Sequence, residues 1–152
     1  MDKRYIVRPV RQLDLDRILG IEAASFGPDA YDRNLFAEYA HNCGGLFLVA
    51  ARRTKVCAYS ITAVSPGRLR DRAELVSLAV APAFLGKGAS SALMDSTLRR
   101  LRRRGIAQLR LTVKVTNQRA RAFYAKYGFR KLRRLKGYYE DGADGFRLAK
   151  DL

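Results

Sequence analysis

A strand pattern meets a helical pattern in Val80-Ala81-Pro82-Ala83-Phe84-Leu85-Gly86-Lys87-Gly88-Ala89-Ser90-Ser91-Ala92-Leu93-Met94. The β-rich run before it stops at Pro82, and a long helical segment opens at about Ala89. Glycines allow the backbone to turn tightly, and the first N–H groups of a helix lack partners within the helix. With the positive end of the helix dipole they form an anion site suited to a phosphate or pyrophosphate. Lys87 adds a full positive charge.

The Gly86-x-Gly88 spacing is weak evidence when it stands alone. A Walker loop needs Gly-x-x-x-x-Gly-Lys-Ser/Thr, and the dinucleotide fingerprint needs a third glycine, so both motifs are absent. A plain tight turn is the commoner interpretation of this spacing. The remainder of the chain therefore has to decide between a turn and an anion site.

Length and composition favour one globular domain that spans residues 1–152. The chain has 152 residues, 48% hydrophobic and 10% aromatic, which is enough to bury a core. No apolar run approaches the roughly 20 residues that span a bilayer, and the N-terminal residues do not resemble a signal peptide. We therefore expect a cytoplasmic protein without membrane contact.

The cysteines and the histidine do not form a metal-binding pattern. Cys43 and Cys57 are far apart, and His41 is the only histidine, so no second ligand pair follows. We expect no metal and two free, buried thiols.

The positive charge is concentrated in one part of the chain. The net charge is +16, and residues 97–137 contain fifteen Lys or Arg and no Asp or Glu. Such a patch attracts polyanions such as nucleic acid or a ribosomal surface. A solvated basic face, with arginines favoured near a helix C-terminus, explains the same pattern. Both interpretations stay open from the sequence.

Hydrophobic periodicity predicts the order β-α-α-β-β-β-α-β-α-β-β. The strands are expected over residues 5–10, 46–51, 56–64, 72–80, 106–115, 129–135 and 145–148, and the helices over 13–25, 33–39, 89–104 and 119–127. Residues 41–45 are expected to form a turn, residues 52–55 a hairpin connection, and Asn117 a helix cap. This order predicts an α/β (α+β) fold with a mixed sheet flanked by helices.

Two motifs in this order resemble the GNAT superfamily of N-acetyltransferases. They are Ala73-Glu74-Leu75-Val76-Ser77-Leu78-Ala79-Val80-x-Pro82-x-x-x-Gly86-Lys87-Gly88 and Thr116-Asn117-x-x-Ala120-x-x-Phe123-Tyr124-x-x-x-Gly128-Phe129. Within the superfamily the chain is most similar to the RimI-type ribosomal-protein N-terminal alanine acetyltransferases, through Ile21-Glu22-Ala23-Ala24-Ser25-Phe26 and Gly137-Tyr138-Tyr139-Glu140-Asp141-Gly142-Ala143-Asp144. The resemblance covers nearly the whole chain.

The resemblance implies a GNAT fold and acetyl-CoA as the cofactor. The fold has a mostly antiparallel sheet of about seven strands, splayed between strands 4 and 5, and four helices. The pantetheine would pair with the strand that ends at Val80, and the pyrophosphate would lie on the N–H groups of residues 86–91. The implied cofactor-binding residues are Leu78, Ala79, Val80, Leu85, Gly86, Lys87, Gly88, Ala89, Ser90, Ser91, Asn117 and Tyr124.

The implied catalytic residues are Tyr124 and Glu74. Tyr124 would protonate the leaving thiolate; a core aromatic is its alternative interpretation. RimI-type enzymes carry a catalytic glutamate where this chain has Thr112, whose hydroxyl is no base near neutral pH. Glu74 matches a glutamate of other GNAT branches, so it is either the base or a surface charge paired with Arg72 or Arg110.

Two further departures from the family pattern concern the cofactor loop. Leu85 stands where the family usually has Arg or Gln, so a side-chain contact to phosphate is lost, and Ser90 stands where it has Gly or Ala. Either change is expected to weaken CoA binding without removing the loop.

The acceptor is expected to be a protein N-terminus. Neutralising an α-amine at pH 7 costs roughly 1.4 kcal/mol, against about 4.6 kcal/mol for a lysine, so a weak base suits the α-amine. The loop with Tyr138 and Tyr139 would close over the acceptor, and residues 26–31 would form the other wall. Two alternatives stay open, a small-molecule amine acetyltransferase and a catalytically weak module that binds RNA or the ribosome. The oligomeric state is not indicated by the sequence.

Overall fold

The computed structural model describes residues 4–69 and 71–152, and this part of the chain contains seven strands and four α-helices in the predicted order. The strands are β1 (Ile6–Pro9), β2 (Phe47–Arg52), β3 (Lys55–Val64), β4 (Arg72–Val80), β5 (Gln108–Lys114), β6 (Arg130–Leu135) and β7 (Gly145–Asp151). The helices are α1 (Leu15–Phe26), α2 (Arg33–Asn42), α3 (Ala89–Arg103) and α4 (Gln118–Lys126).

The strands form one mixed, mostly antiparallel sheet, as predicted. Its order is β1-β2-β3-β4-β5-β7-β6. The parallel ladder between β4 and β5 joins Arg72, Ala73 and Glu74 with Gln108, Leu109 and Arg110. The C-terminal strand β7 pairs antiparallel with both β5 and β6. The side chains of β7 therefore lie next to those of β5. The order of elements along the chain does not by itself predict that these two strands are neighbours.

Contacts divide the described residues into two compact units. Unit 1 contains residues 4–63 and 75–104, and unit 2 contains residues 64–69, 71–74 and 105–152. The N-terminal end of β4 thus belongs to unit 2 and the remainder of β4 to unit 1.

Unit 1 has a hydrophobic cluster on each side of its strands. One cluster packs α1 and α2 side chains such as Ile18 and Phe36 against Phe47 and Tyr59, all fully buried. The other cluster joins Leu48, Ala50 and Ala58 with Ala92 and Leu93 of α3. Because side chains alternate along a strand, β2 and β3 serve both clusters, and their near-continuous apolar pattern follows from burial on two faces.

Unit 2 shows the alternation that the sequence predicts for β5. Leu109, Leu111 and Val113 are buried, whereas Gln108, Arg110, Thr112 and Lys114 remain partly exposed. Tyr124 of α4 packs against Phe129, with 5.5 Å between the ring centroids. One face of the β5 region is therefore apolar, and the other carries polar side chains.

The expected turn at residues 41–45 is wrong in its first half. His41 and Asn42 extend α2, because Cys43 N donates to Tyr39 O at 2.8 Å and completes the last helical turn. Gly44, with φ of 53°, then leaves the helix. Cys43 and Cys57 are free and buried, as predicted.

The described residues contain neither a membrane-spanning helix nor a cluster of metal ligands. None of the helices in residues 4–69 and 71–152 is long and apolar enough to cross a membrane. The same residues contain no group of three or more His, Cys, Asp or Glu side chains placed to hold a metal ion.

Candidate functional site

The glycine loop of unit 1 has the backbone geometry of an anion site. After a short 3-10 turn at Pro82–Phe84, Gly86 and Gly88 adopt φ of 73° and 89°. Residues with a Cβ rarely adopt these values, so both positions require glycine. Gly88 is the N-cap of α3 and provides no side-chain cap. The first-turn N–H groups of α3 therefore point toward the loop as donors that the helix does not use.

Positive charges surround this loop. Arg52, Lys55 and Lys87 each place a cationic group 5.7 to 5.9 Å from the centroid of the Phe84 ring. The main chain of the loop is held in place, since Lys87 O accepts a hydrogen bond of 3.0 Å from Tyr5 Oη. The loop thus combines a fixed backbone with a positive field, which suits a pyrophosphate.

The strand that leads into the loop is buried at its end. Ala79 and Val80 are buried and Leu78 is half-buried, and Ala81 N donates to Cys57 O at 2.8 Å. Leu85 is 43% exposed, but its N–H donates to Pro82 O at 3.4 Å. Leu85 therefore contributes less to an anion site than its neighbours.

A buried carboxylate in unit 1 was missed by the sequence analysis. Glu22 of α1 is 1% exposed, and it accepts hydrogen bonds from Tyr59 Oη, from Ser77 Oγ at 3.4 Å and from Tyr31 N at 3.0 Å. Burial raises the pKa of the Glu22 carboxyl. Hydrogen bonds from the Tyr31 N–H and the Ser77 hydroxyl lower the pKa and partly offset the effect of burial. The signal in the sequence was a glutamate on the apolar stripe of α1, four residues after Ile18.

Glu22 also fixes the loop that we expected to form a wall of the acceptor site. The Tyr31 N–H belongs to that loop, and beside it lies an open cavity of about 460 Å³. The cavity is lined by Ala30, Tyr31, Asp32, Asn34, Leu35 and Glu38.

In unit 2, Tyr124 is a buried tyrosine with a protonated hydroxyl. It lies on α4, is 8% exposed, and its ring packs against Phe123 and Phe129. Burial, and secondarily Tyr139, raises the pKa of Tyr124. The hydroxyl therefore stays protonated at neutral pH. No hydrogen bond from Tyr124 Oη to another group occurs within the described residues, so this donor is available to a ligand.

Asn117 caps α4, as predicted. Its Oδ1 accepts a hydrogen bond of 3.2 Å from Ala120 N. The side-chain NH₂ and the second lone pair of Oδ1 remain able to contact a ligand.

Glu74 has a different partner from the two that the sequence suggested. Both of its oxygens accept from the Arg147 guanidinium, at 2.6 and 2.7 Å, and Arg147 Nη1 also donates to Thr112 Oγ1 at 3.2 Å. The Glu74 hydrogen bond raises the pKa of Arg147. The expected pairing with Arg72 or Arg110 is wrong because β7 lies next to β5, where Arg147 is opposite Thr112.

The loop after β6 is held by its own acidic residues. Asp144 accepts from Gly137 N at 2.8 Å and from Arg134 at 2.7 Å, and Asp141 accepts from Lys114 at 3.0 Å. Hydrogen bonds from the Ala143 N–H and from Lys114 lower the pKa of Asp141. Those from the Gly137 N–H and Arg134 lower the pKa of Asp144. Tyr138, 56% exposed, forms an edge-on pair with Tyr139 at 5.0 Å.

The predicted site residues are divided between the two units. Leu78, Ala79 and Val80 and the loop residues from Leu85 to Ser91 belong to unit 1, whereas Glu74, Asn117 and Tyr124 belong to unit 2. Arg147 and Glu22 are the charged residues that the sequence did not single out for these contacts.

Comparison with known proteins gives a consistent result. The model of the "Acetyltransferase (GNAT) family" matches residues 14–129. A relative from Saccharolobus solfataricus named "N-alpha-acetyltransferase" is 29% identical over 97% of this chain and 93% of its own length.

Two solved structures have a similar fold. The structure of Ard1 from Thermoplasma volcanium aligns with a TM-score of 0.92 and 25% identity, covering 98% of each chain. The ribosomal-protein-S18-alanine N-acetyltransferase from Escherichia coli aligns with a TM-score of 0.82 and 27% identity, covering 97% of this chain and 93% of that chain.

Proposed function

Because the chain belongs to the acetyltransferase (GNAT) family, we propose that it moves an acetyl group from acetyl-CoA to the α-amine at the N-terminus of a protein. The chain is an N-acetyltransferase, and acetyl-CoA is its donor. The observation that carries the choice of an α-amine is the similarity, over nearly the whole chain, to a relative named N-alpha-acetyltransferase.

The glycine loop fits the phosphates of the donor. Its uncapped helix start, its two glycines with positive φ and the cations around Phe84 are the features that a pyrophosphate needs. We assign pyrophosphate binding to the N–H groups of Gly86, Lys87, Gly88, Ala89, Ser90 and Ser91, with Leu85 in a minor role, and pantetheine binding to Leu78, Ala79, Val80 and Asn117. Acetyl-CoA supplies an activated thioester.

Tyr124 is assigned the general acid. Its buried ring fixes the hydroxyl, its raised pKa keeps the proton in place, and its Oη retains an unused donor. A phenol of this kind can donate its proton to the sulfur as the thiol leaves.

Glu74 is assigned the general base, and it acts through water. Both oxygens already accept from Arg147, which fixes the orientation of the carboxylate, and each oxygen keeps a lone pair for a water molecule. The Glu74 side chain is 35% exposed, so water can reach it. Thr112, which accepts from Arg147, orients the pair and takes no proton.

The acceptor follows from the modest strength of this base. Removing a proton from an α-amine at neutral pH costs about 3 kcal/mol less than removing one from lysine. The Tyr138–Tyr139 pair and residues 26–31 are assigned to contact the first residues of the acceptor.

The structure gives no support to a cationic small-molecule acceptor. That alternative requires an acidic cleft. Glu74 is paired with Arg147, Asp141 with Lys114, and Asp144 with Arg134. The acidic side chains of unit 2 are therefore largely neutralised by their own neighbours.

The proposal also covers the domain organisation, the basic stretch and the cellular location. Residues 1–152 act as one catalytic domain, since the family match includes segments of both units. The basic stretch 97–137 contacts nucleic acid or the ribosome through some of its residues. A cytoplasmic location stays a prediction of the sequence.

The experiment uses the full chain, acetyl-CoA and two matched peptides that each contain one lysine. One peptide has a free N-terminus, and the other has a formylated N-terminus. Mass spectrometry locates the acetyl group, and we expect it on the α-amine of the first peptide alone. Acetylation of lysine in the blocked peptide, or no acetylation of either peptide, would contradict the proposal.

A further inference from the structure

One face of unit 2 carries an unusual concentration of arginines. The registers place Thr112, Arg147 and Arg133 in one row across β5, β7 and β6. Glu74 and Arg110 are paired in the next row across β4 and β5, and Arg72 lies two residues before Glu74 on β4. Residues paired in a sheet project to the same side, so these side chains share a face.

The positive charge of this arginine face is mostly uncompensated. Arg147 is neutralised by Glu74. Within the part of the chain that the structure describes, Arg72, Arg110 and Arg133 have no carboxylate at ion-pair distance. Burial lowers the pKa of Arg110, and so do the charges of Arg72, Arg147 and Arg133, whereas the charge of Glu74 raises it. Four arginines and one glutamate leave an excess of three positive charges.

The position of this face relates it to the acceptor. Glu74, the general base of the proposed function, lies on this face and shares Arg147 with Thr112, so the acceptor amine comes close to both. Successive rows on one face are about 7 Å apart, and neighbouring strands are about 5 Å apart. Arg110 is one row from Thr112, and Arg133 is two strands away. An extended chain advances about 3.3 Å per residue, so its third or fourth residue comes level with either arginine.

We infer that the arginine face selects acceptor polypeptides that carry Asp or Glu at about the third and fourth residues. The inference rests on the proposed function. Arg110 and Arg133 are specificity-determining residues in it, because each has guanidinium N–H groups that can bind a carboxylate with two hydrogen bonds.

A peptide explains this face better than a nucleic acid does. The arginines surround the Glu74–Arg147 pair instead of forming an unbroken cationic strip, and Glu74 would repel a phosphate backbone that followed the row. A single carboxylate can contact Arg133, which lies on β6 beyond β7, without approaching Glu74.

The test compares three peptide acceptors that differ only at residues 3 and 4, with Asp-Asp, Asn-Asn or Lys-Lys. In wild type at low salt we expect kcat/KM to fall in that order, with the Asp-Asp peptide about fivefold above Asn-Asn, mainly through KM. The preference should weaken at high salt. In Arg110→Gln/Arg133→Gln the three values should converge, whereas Lys126→Gln on α4 should keep the wild-type order.

Several results would overturn the inference. Equal kcat/KM for the three peptides in wild type would overturn it alone, and so would an acidic preference that persists in the double variant. If the double variant unfolds early in a thermal scan, the single variant Arg133→Gln replaces it, since it changes an exposed side chain of β6. Arg133→Gln must then lose about half of the wild-type preference for the Asp-Asp peptide, measured as log kcat/KM. Competition by single-stranded RNA together with equal peptide rates would assign the face to nucleic acid. If none of the peptides is acetylated, the proposed function fails and this inference falls with it.

Discussion

Tyr124 combines two roles in one residue, since its ring packs in unit 2 and its hydroxyl has an unused donor. Tyr124→Phe keeps the ring and removes only the oxygen. We expect kcat to fall by roughly 10²-fold, which is usual for the loss of a general acid. The midpoint of thermal unfolding should stay close to that of wild type, because the Tyr124–Phe129 and Tyr124–Phe123 ring contacts remain. Steady-state kinetics and a thermal scan measure both.

Tyr127→Phe is the matched control for this change. Tyr127 comes directly after the last residue of α4. Its change to Phe also removes one hydroxyl, and it should leave kcat unchanged. Turnover by Tyr124→Phe at the wild-type rate would remove the residue from the mechanism, and an equal loss in both variants would point to the helix instead of the hydroxyl.

At the scale of an element, α1 is notable because it packs a carboxylate into an apolar cluster. Glu22 has a raised pKa in the folded chain, chiefly through burial. Folding therefore favours the protonated form. This stabilising contribution is fully present below the unfolded pKa of about 4.3 and is lost as the pH rises through the higher folded pKa.

Glu22→Gln should remove that dependence, since glutamine accepts hydrogen bonds but does not ionise. We expect the difference in unfolding free energy, Gln variant minus wild type, to increase between about pH 4 and about pH 8. Urea unfolding at both pH values measures the difference. Glu38→Gln, which removes an exposed carboxylate from α2, controls for the change in net charge. A difference that stays constant with pH, or decreases, would contradict the assignment.

The elements also mark what the sequence can predict. The order of strands and helices follows from periodicity and glycine positions, and β4 and the start of α3 are found where the pattern predicts them. The Arg147–Glu74 pair could not be predicted, because it depends on β7 entering the sheet beside β5. The burial of Glu22 could not be predicted, because its partners Tyr59 and Ser77 are distant in the sequence.

On the scale of the whole molecule, the net charge is +16, and only some of the basic side chains that the structure describes have partners within the chain. In the basic stretch 97–137, Arg130 and Arg134 pair with Asp151 and Asp144 outside it, and Arg100 donates to Gly45 O and Ser96 Oγ. Arg102 and Arg103, exposed in the last turn of α3, have no ion pair within residues 4–69 and 71–152. These two arginines are therefore the best candidates for a contact with a polyanion.

A salt titration decides whether that contact is local. We expect wild type to bind single-stranded RNA with an affinity that falls as salt rises, and Arg102→Gln/Arg103→Gln to reduce the slope of log K against log salt by about 1.4, or about 0.7 per phosphate contact. Arg68→Gln/Lys150→Gln removes the same charge from outside the basic stretch and should change the slope little. The Arg102/Arg103 variant should acetylate a short peptide at the wild-type rate, because these arginines lie at the opposite end of α3 from the glycine loop. Equal losses of RNA affinity in both double variants would mean that RNA affinity depends on the net charge of the protein and not on the C-terminal end of α3.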